Sequence, residues 1–270
     1  MSGGLLLKCV HCDTFKVMKK ILLIVLVGFV IFVISALIRD PEKILPMREI
    51  EEITKSHEQC PNPFIFPLPI DINKATSVLY PGQIRGGDYK AHGGFRFENS
   101  LPGDILVTAP IDARVIAGAR YPANTGDIQY TFDFEHPCGV RYRLGHLLTL
   151  SPKFQEIANK FPMPKGLDSR TTQVYPPIEI KQGEVIATAV GLTKDGTSKN
   201  GTNTFLDWGV YDYRQKNESS KDPAWAANHP HEIEQYAVCW FYWISPKDKA
   251  KVLSLPSSDS QSGKNSDYCK

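Results

Sequence analysis

Hydrophobic and polar positions change their spacing several times along this chain. From Ile21 to Ile38 an uncharged apolar run (ILLIVLVGFVIFVISALI) is just long enough for a helix that spans a bilayer. From Arg39 to about Gln59 the chain turns polar and acidic, with Met47, Ile50 and Ile53 spaced for a short amphipathic helix. Beyond Cys60 the period drops to two. Ile128–Glu135 alternates, His136-Pro-Cys-Gly forms a turn, and Val140 to His146 returns with the same alternation, which predicts a hairpin of half-buried strands. Ile105–Pro110, Ala113–Ala117, Glu184–Val190 and Thr204–Tyr213 read as further short strands, the first stopped by its proline. Pro152–Lys160 is the best helix, with Pro at its first position and Phe154, Ile157 and Ala158 on one face. Many short strands with Gly and Pro punctuation predict a mainly β domain, an antiparallel β-sandwich or barrel. From Pro256 the chain is polar and of low complexity, expected to be disordered unless Cys269 pins it.

This pattern divides the chain into a short cytoplasmic segment (1–20), a transmembrane signal anchor (21–38), a stalk (39–59), a β domain (60–255) and a polar tail (256–270). Lys16, Lys19 and Lys20 precede the apolar run, and Arg39 after it is offset by Asp40. The N-terminus is therefore expected in the cytoplasm and the domain outside, a single-pass protein of the cell membrane. A cleaved signal peptide is the alternative. Met18 reads as a natural start, and Cys9 and Cys12 lack the second pair or βαβ context that would make them a metal or redox motif.

Composition narrows the partners. The 270 residues carry a net charge of only +2, which gives no reason to expect nucleic acid. Cys60, Cys138, Cys239 and Cys269 all lie on the expected exterior side. An even number there suggests two disulfides in one of three connectivities; a Cys239–Cys269 bridge would tie the tail to the body, and free thiols are the alternative. The aromatic C-terminal third (Trp208, Tyr211, Tyr213, Trp225, Trp240–Trp243) suits core packing better than a ligand groove. His229-Pro-His231 is a His pair without a visible third ligand. Asn200-Gly-Thr and Asn217-Glu-Ser are glycosylation sequons.

The candidate chemistry lies in the order of several weak motifs. Thr108-Ala-Pro, Ala113-Arg-Val, Tyr142-Arg-Leu-Gly-His146-Leu, Ile180 to Ala187, Gly191 and Leu206-Asp-Trp-Gly-Val210 follow one another, preceded by Lys90-Ala-His92-Gly-Gly-Phe-Arg96-Phe. In this order they resemble the lysostaphin/LytM-type zinc endopeptidases, over about residues 85–213. The resemblance implies the duplicated hybrid motif, a barrel-sandwich hybrid fold. It also implies which positions carry the chemistry. His92 stands at the first zinc ligand of His-x-Gly-x-Asp, and Arg96 stands where the Asp belongs. Asp207 replaces the second His of His-x-His and Phe205 the first, while His146 keeps the upstream catalytic position. A guanidinium has no lone pair to offer a metal. The expectation is therefore a degenerate, non-catalytic member with no cofactor, in which an Arg96–Asp207 pair bridges the two vacated positions. Its cleft, lined by His92, Arg96, Phe205, Asp207 and Trp208, would bind a cell-wall polymer or a cell-wall hydrolase. The alternative is a zinc peptidoglycan endopeptidase with altered ligands: His92, Asp207 and His146. A carrier or adaptor use of the same architecture lacks the Met-Lys-Met-type hairpin needed for a covalent cofactor.

Overall fold

The computed structural model describes residues 58–98, 100–163, 171–193 and 203–270. The apolar run 21–38, the stalk up to residue 57, Cys9, Cys12 and the Asn200 sequon lie outside the described residues. Among the described residues no helix is long and apolar enough to cross a membrane.

Antiparallel pairing dominates. The main path of the sheet runs β1 (Ser77–Leu79), β4 (Gly93–Arg96), β12 (Asn203–Asp212), β8 (Val140–Leu150), β7 (Ile128–Glu135), β6 (Ala113–Pro122) and β9 (Thr172–Ile180). β10 (Val185–Val190) pairs with both β8 and β5 (Val107–Thr108), and β11 (Leu192–Thr193) pairs with β12. A separate hairpin joins β2 (Gln83–Arg85) to β3 (Asp88–Lys90) through Gly86 and Gly87, whose φ values of 59° and 86° suit a two-residue turn that residues with a Cβ rarely adopt.

The period-two reading accounts for the centre of the sheet. Phe132 and Phe134 of β7 and Val140, Tyr142 and Leu144 of β8 are buried, while the positions between them are only partly so. Phe134 and Tyr142 are cross-strand partners whose rings stack at 4.5 Å and 10°. Helix Pro152–Ala158 lays Phe154 edge-on against Phe132 at 5.2 Å. Strand β9, hidden in a stretch without alternation, was not foreseen, nor were the four short strands between Ser77 and Arg96.

Two disulfides resolve the connectivity as Cys60–Cys138 and Cys239–Cys269. The first ties the start of the domain to the β7–β8 turn, and the second ties the tail to the body, so the tail is pinned. Both ends of the main path are covered or broken. Along β1, Val78 donates to the Pro256 carbonyl and accepts from Ser258 N–H. At the other end, β9 leaves its ladder with β6 between Gln173 and Ile178. There Tyr175 stands 87 % exposed beside Pro176 and Pro177, which have no N–H to offer a further strand.

Trp208 was expected in the cleft. It alternates with Asp207 on β12 and so points to the opposite face, fully buried against Trp240 at 4.4 Å, Phe66 and Phe95. Trp208→Ala is expected to cost about 3–5 kcal/mol in urea denaturation. A loss of about 0.5 kcal/mol, the size of a surface change, would contradict that placement.

Candidate functional site

Three adjacent strands position the site. In β12, Asp207 lies opposite Gly94 of β4 on one side and Gly145 of β8 on the other. Neither neighbour has a side chain, so the space above both is open to residues further along each strand. His92, just ahead of β4, and His146, just after Gly145, fill it. Their Nε2 atoms stand 3.2 and 3.1 Å from the same oxygen, Asp207 Oδ2. The His92 and His146 side chains are each 22 % exposed and that of Asp207 20 %, so the cluster is sunk in the sheet face yet reachable from solvent.

His146 reaches this place through a bulge. Phe132 pairs with Leu144 and Tyr130 with Leu147, so β8 spends three residues where β7 spends two. His146 takes the left-handed conformation, φ 60°, uncommon for a residue with a Cβ. The alternation of Val140 to His146 breaks at this point, and both Leu144 and Leu147 stay buried. Four contacts hold the strained residue. Its N–H donates to the Tyr121 hydroxyl at 3.2 Å, and its carbonyl accepts from Gly191 N–H. Its Nδ1 lies 2.7 Å from Gln129 Oε1 and 3.1 Å from the Tyr121 hydroxyl. The Gln129 amide is oriented by its own bond from Nε2 to the Leu192 carbonyl at 2.9 Å, so Oε1 must face the imidazole. Nδ1 is thus held by Gln129 and Tyr121, and Nε2 is the atom presented to Asp207. Gly191 makes room for this lock, because a Cβ there would sit 2.2 Å from Gln129 Cδ. Neither Gln129 nor Tyr121 was foreseen. The one signal for Gln129 was a polar residue that proves fully buried within the alternating strand Ile128–Glu135.

The electrostatics follow from this packing. Burial by itself would raise the Asp207 carboxyl, but the His92 and His146 imidazoles outweigh it and hold the group well below the usual carboxylate range. Burial lowers His92 from its ordinary value; Asp207 opposes that shift, and Arg85 and Arg143 reinforce it. Burial also raises the Tyr121 phenol, with Asp207 adding to the effect.

Arg96 does not take the place expected for it. Asp207 draws its ion-pair partners from the two histidines, and Arg96 sits two pairs further along the β4–β12 ladder, opposite Phe205. Its guanidinium carbon is 5.7 Å from the Phe205 ring centroid, within cation–π range, and the other neighbour of that ring is His146 at 3.8 Å. His92, Arg96, Phe205, Asp207 and His146 are thus brought together, and Trp208 is not. Beyond Gly145 on the same face, Arg143 grips Asp133 through two hydrogen bonds of 2.6 and 2.8 Å, and Arg141 and Arg114 both meet Glu135. These cross-strand pairs extend a polar floor away from the cluster.

Zinc, which the resemblance implies, is not well served by this arrangement. Two imidazoles and a carboxylate are suitable donor types. Here, however, each imidazole is hydrogen-bonded to the carboxylate, and Arg96 stands where the resemblance would call for an aspartate. Among the described residues no group of three or more His, Cys, Asp or Glu is placed to hold a metal ion. The His229-Pro-His231 pair serves packing. The His229 ring stacks on Trp225 at 4.0 Å and meets Tyr89 at 4.1 Å, while His231 N–H bonds Glu234 at the start of helix Glu232–Tyr236. The Asn217 side-chain nitrogen, the atom a glycan would need, donates to the carbonyls of Glu234 and Ala237.

Compared with known proteins, the chain matches no family model, no curated protein and no solved structure.

The cluster makes stability depend on pH. A carboxyl lowered on folding contributes stability that is fully present above its unfolded value, about 3.9, and lost as pH falls through the folded value. His92, also lowered, acts in the same direction below about 6.5. Asp207→Asn is therefore expected to be less stable than the wild type at pH 7, with the gap closing in acid. Urea denaturation from pH 7 to pH 3 measures it; a gap that widens towards acid would contradict the assignment.

Proposed function

We propose that this chain is a membrane-anchored, extracytoplasmic LytM-like domain that binds cell-wall material without cleaving it. The architecture in this reading is the duplicated hybrid motif, and the mainly β, antiparallel fold is consistent with it. The observation that carries the proposal is the shared Asp207 oxygen. At the positions where the family holds zinc and its attacking water, this chain has a carboxylate already hydrogen-bonded to both neighbouring imidazoles. Such a centre offers hydrogen bonds to a ligand rather than a vacant coordination position. The polar rows of β7 and β8 continue the surface along which an extended peptide or glycan would lie. Two disulfides fit an oxidising compartment outside the cytoplasm.

The test uses the full-length chain in detergent, exposed to zinc and then dialysed, with metal content and sedimentation with purified wall sacculi measured on one preparation. The expected result is zinc well below one ion per chain, co-sedimentation with sacculi, and no soluble fragments released from them. Arg96→Asp combined with Asp207→His is expected to gain zinc, since it restores the ligand set the resemblance implies. Stoichiometric zinc in the wild type together with released fragments would overturn the non-catalytic reading in favour of a zinc endopeptidase. Failure to sediment, with a changed rate of an added wall hydrolase, would move the function to regulation of that hydrolase.

A further inference from the structure

His146 is locked by Gln129 and Tyr121, whereas His92 precedes its strand and needs another support. That support comes from the β2–β3 hairpin. The Arg85 guanidinium donates to the His92 carbonyl at 2.8 Å through one Nη atom, and to the Tyr80 carbonyl at 2.6 Å through the other. It spans the hairpin and closes the chain from Tyr80 to His92 into a loop with fixed ends. Burial lowers the Arg85 pKa and the nearby Asp207 opposes that change, so the guanidinium lies within the field of the cluster.

Arg85 is held from behind. Its Nη1 also reaches Gln83 Oε1 at 3.3 Å, and Gln83, almost fully buried, donates from Nε2 to the carbonyls of Gly263 and Asn265 at 3.0 and 2.6 Å. Those carbonyls belong to the C-terminal segment, which follows the hairpin closely. Ser262 Oγ donates to the Ile84 carbonyl, Ser266 Oγ to that of Pro81, and Asp267 N–H to that of Gly82. The Asp267 carboxylate receives the Tyr89 hydroxyl at 2.9 Å and Trp225 Nε1 at 2.7 Å. The Cys239–Cys269 bridge closes the segment onto the body two residues later.

We infer that Arg85 is the positioning residue for His92, and that the disulfide-clamped C-terminal segment holds Arg85 in place. The consequence for ligand binding rests on the function proposed above; the geometry does not. A polar tail thereby becomes part of the site. Its path runs from Cys269 through Asn265, Gln83 and Arg85 to the His92 backbone, and from the His92 ring to Asp207. Lysine at position 85 keeps the charge, but it cannot present two donors in a planar fork and so cannot reach both carbonyls equally well.

The test is the imidazole NMR spectrum of the labelled full-length chain in detergent, with His92 and His146 assigned by His92→Gln and His146→Gln. In Arg85→Met the His92 ring signals are expected to shift while those of His146 stay in place; Arg85→Lys should reverse part of that shift. The double variant Cys239→Ser with Cys269→Ser should move His92 in the same direction as Arg85→Met, with loss of amide protection across residues 81–92. Should Arg85→Met fail to fold, Gln83→Leu with the double serine variant carries the test. A still His92 signal, or equal movement of both histidines, overturns the inference, because a merely structural role would disturb both. The same variants, scored for sedimentation with sacculi, separate the two claims. Shifted spectra with weakened sedimentation support both. Shifted spectra in a protein whose wild type never binds sacculi leave the positioning standing and overturn the wall-binding reading.

Discussion

A carboxylate in the middle of a β-sheet must be compensated, and the surroundings of Asp207 follow from that demand. Its flanking residues are Gly94 and Gly145, so no side chain beside it blocks the approach of a partner. Both partners are imidazoles, and each is supported by a buried network of its own: Gln129 and Tyr121 behind His146, Arg85 behind His92. Leaving that charge unpaired would cost several kcal/mol, on the order of a broken buried pair. The bulge at His146 and the glycine at 191 are the local distortions through which the sheet meets the requirement.

The compensation comes from histidine, whereas inspection of the sequence pointed to arginine. Arg96 and Asp207 stand at two facing ligand positions of the resembled motif, and opposite charges there suggested a direct pair. The register separates them by two steps of the ladder, and the bulge brings His146 closer to Asp207 instead. A bulge adds one residue to one strand; the break in alternation at Gly145 and His146 marks its place in the sequence but not which partner the displaced side chain meets. The strands Ile128–Glu135 and Val140–Leu150 were legible because alternate positions face a dry core and a wetter surface, whereas Asn203–Asp212 is buried at every position but Asp207. The strands between Ser77 and Arg96 are three or four residues long, too short for a period to show.

The tail illustrates the same limit. Its composition is that of a chain unable to build a core, and it does not build one. Its order comes from serine, aspartate and backbone groups bonded to a hairpin far away in sequence, and from one disulfide. Interactions of that kind carry no periodicity. Cys269 was the single residue that hinted at them.

The two ends of the main strand path carry a further implication. β1 is already paired by Pro256 and Ser258, and β9 is interrupted by Tyr175, Pro176 and Pro177. Neither end offers the run of free backbone donors and acceptors that β-augmentation requires. On the wall-binding reading proposed above, an extended ligand would be recognised side chain by side chain, lying across the broad surface where Asp207, Arg143 and Glu135 stand. Selectivity at such a surface depends on the charge and spacing of the ligand's own side groups and little on its backbone.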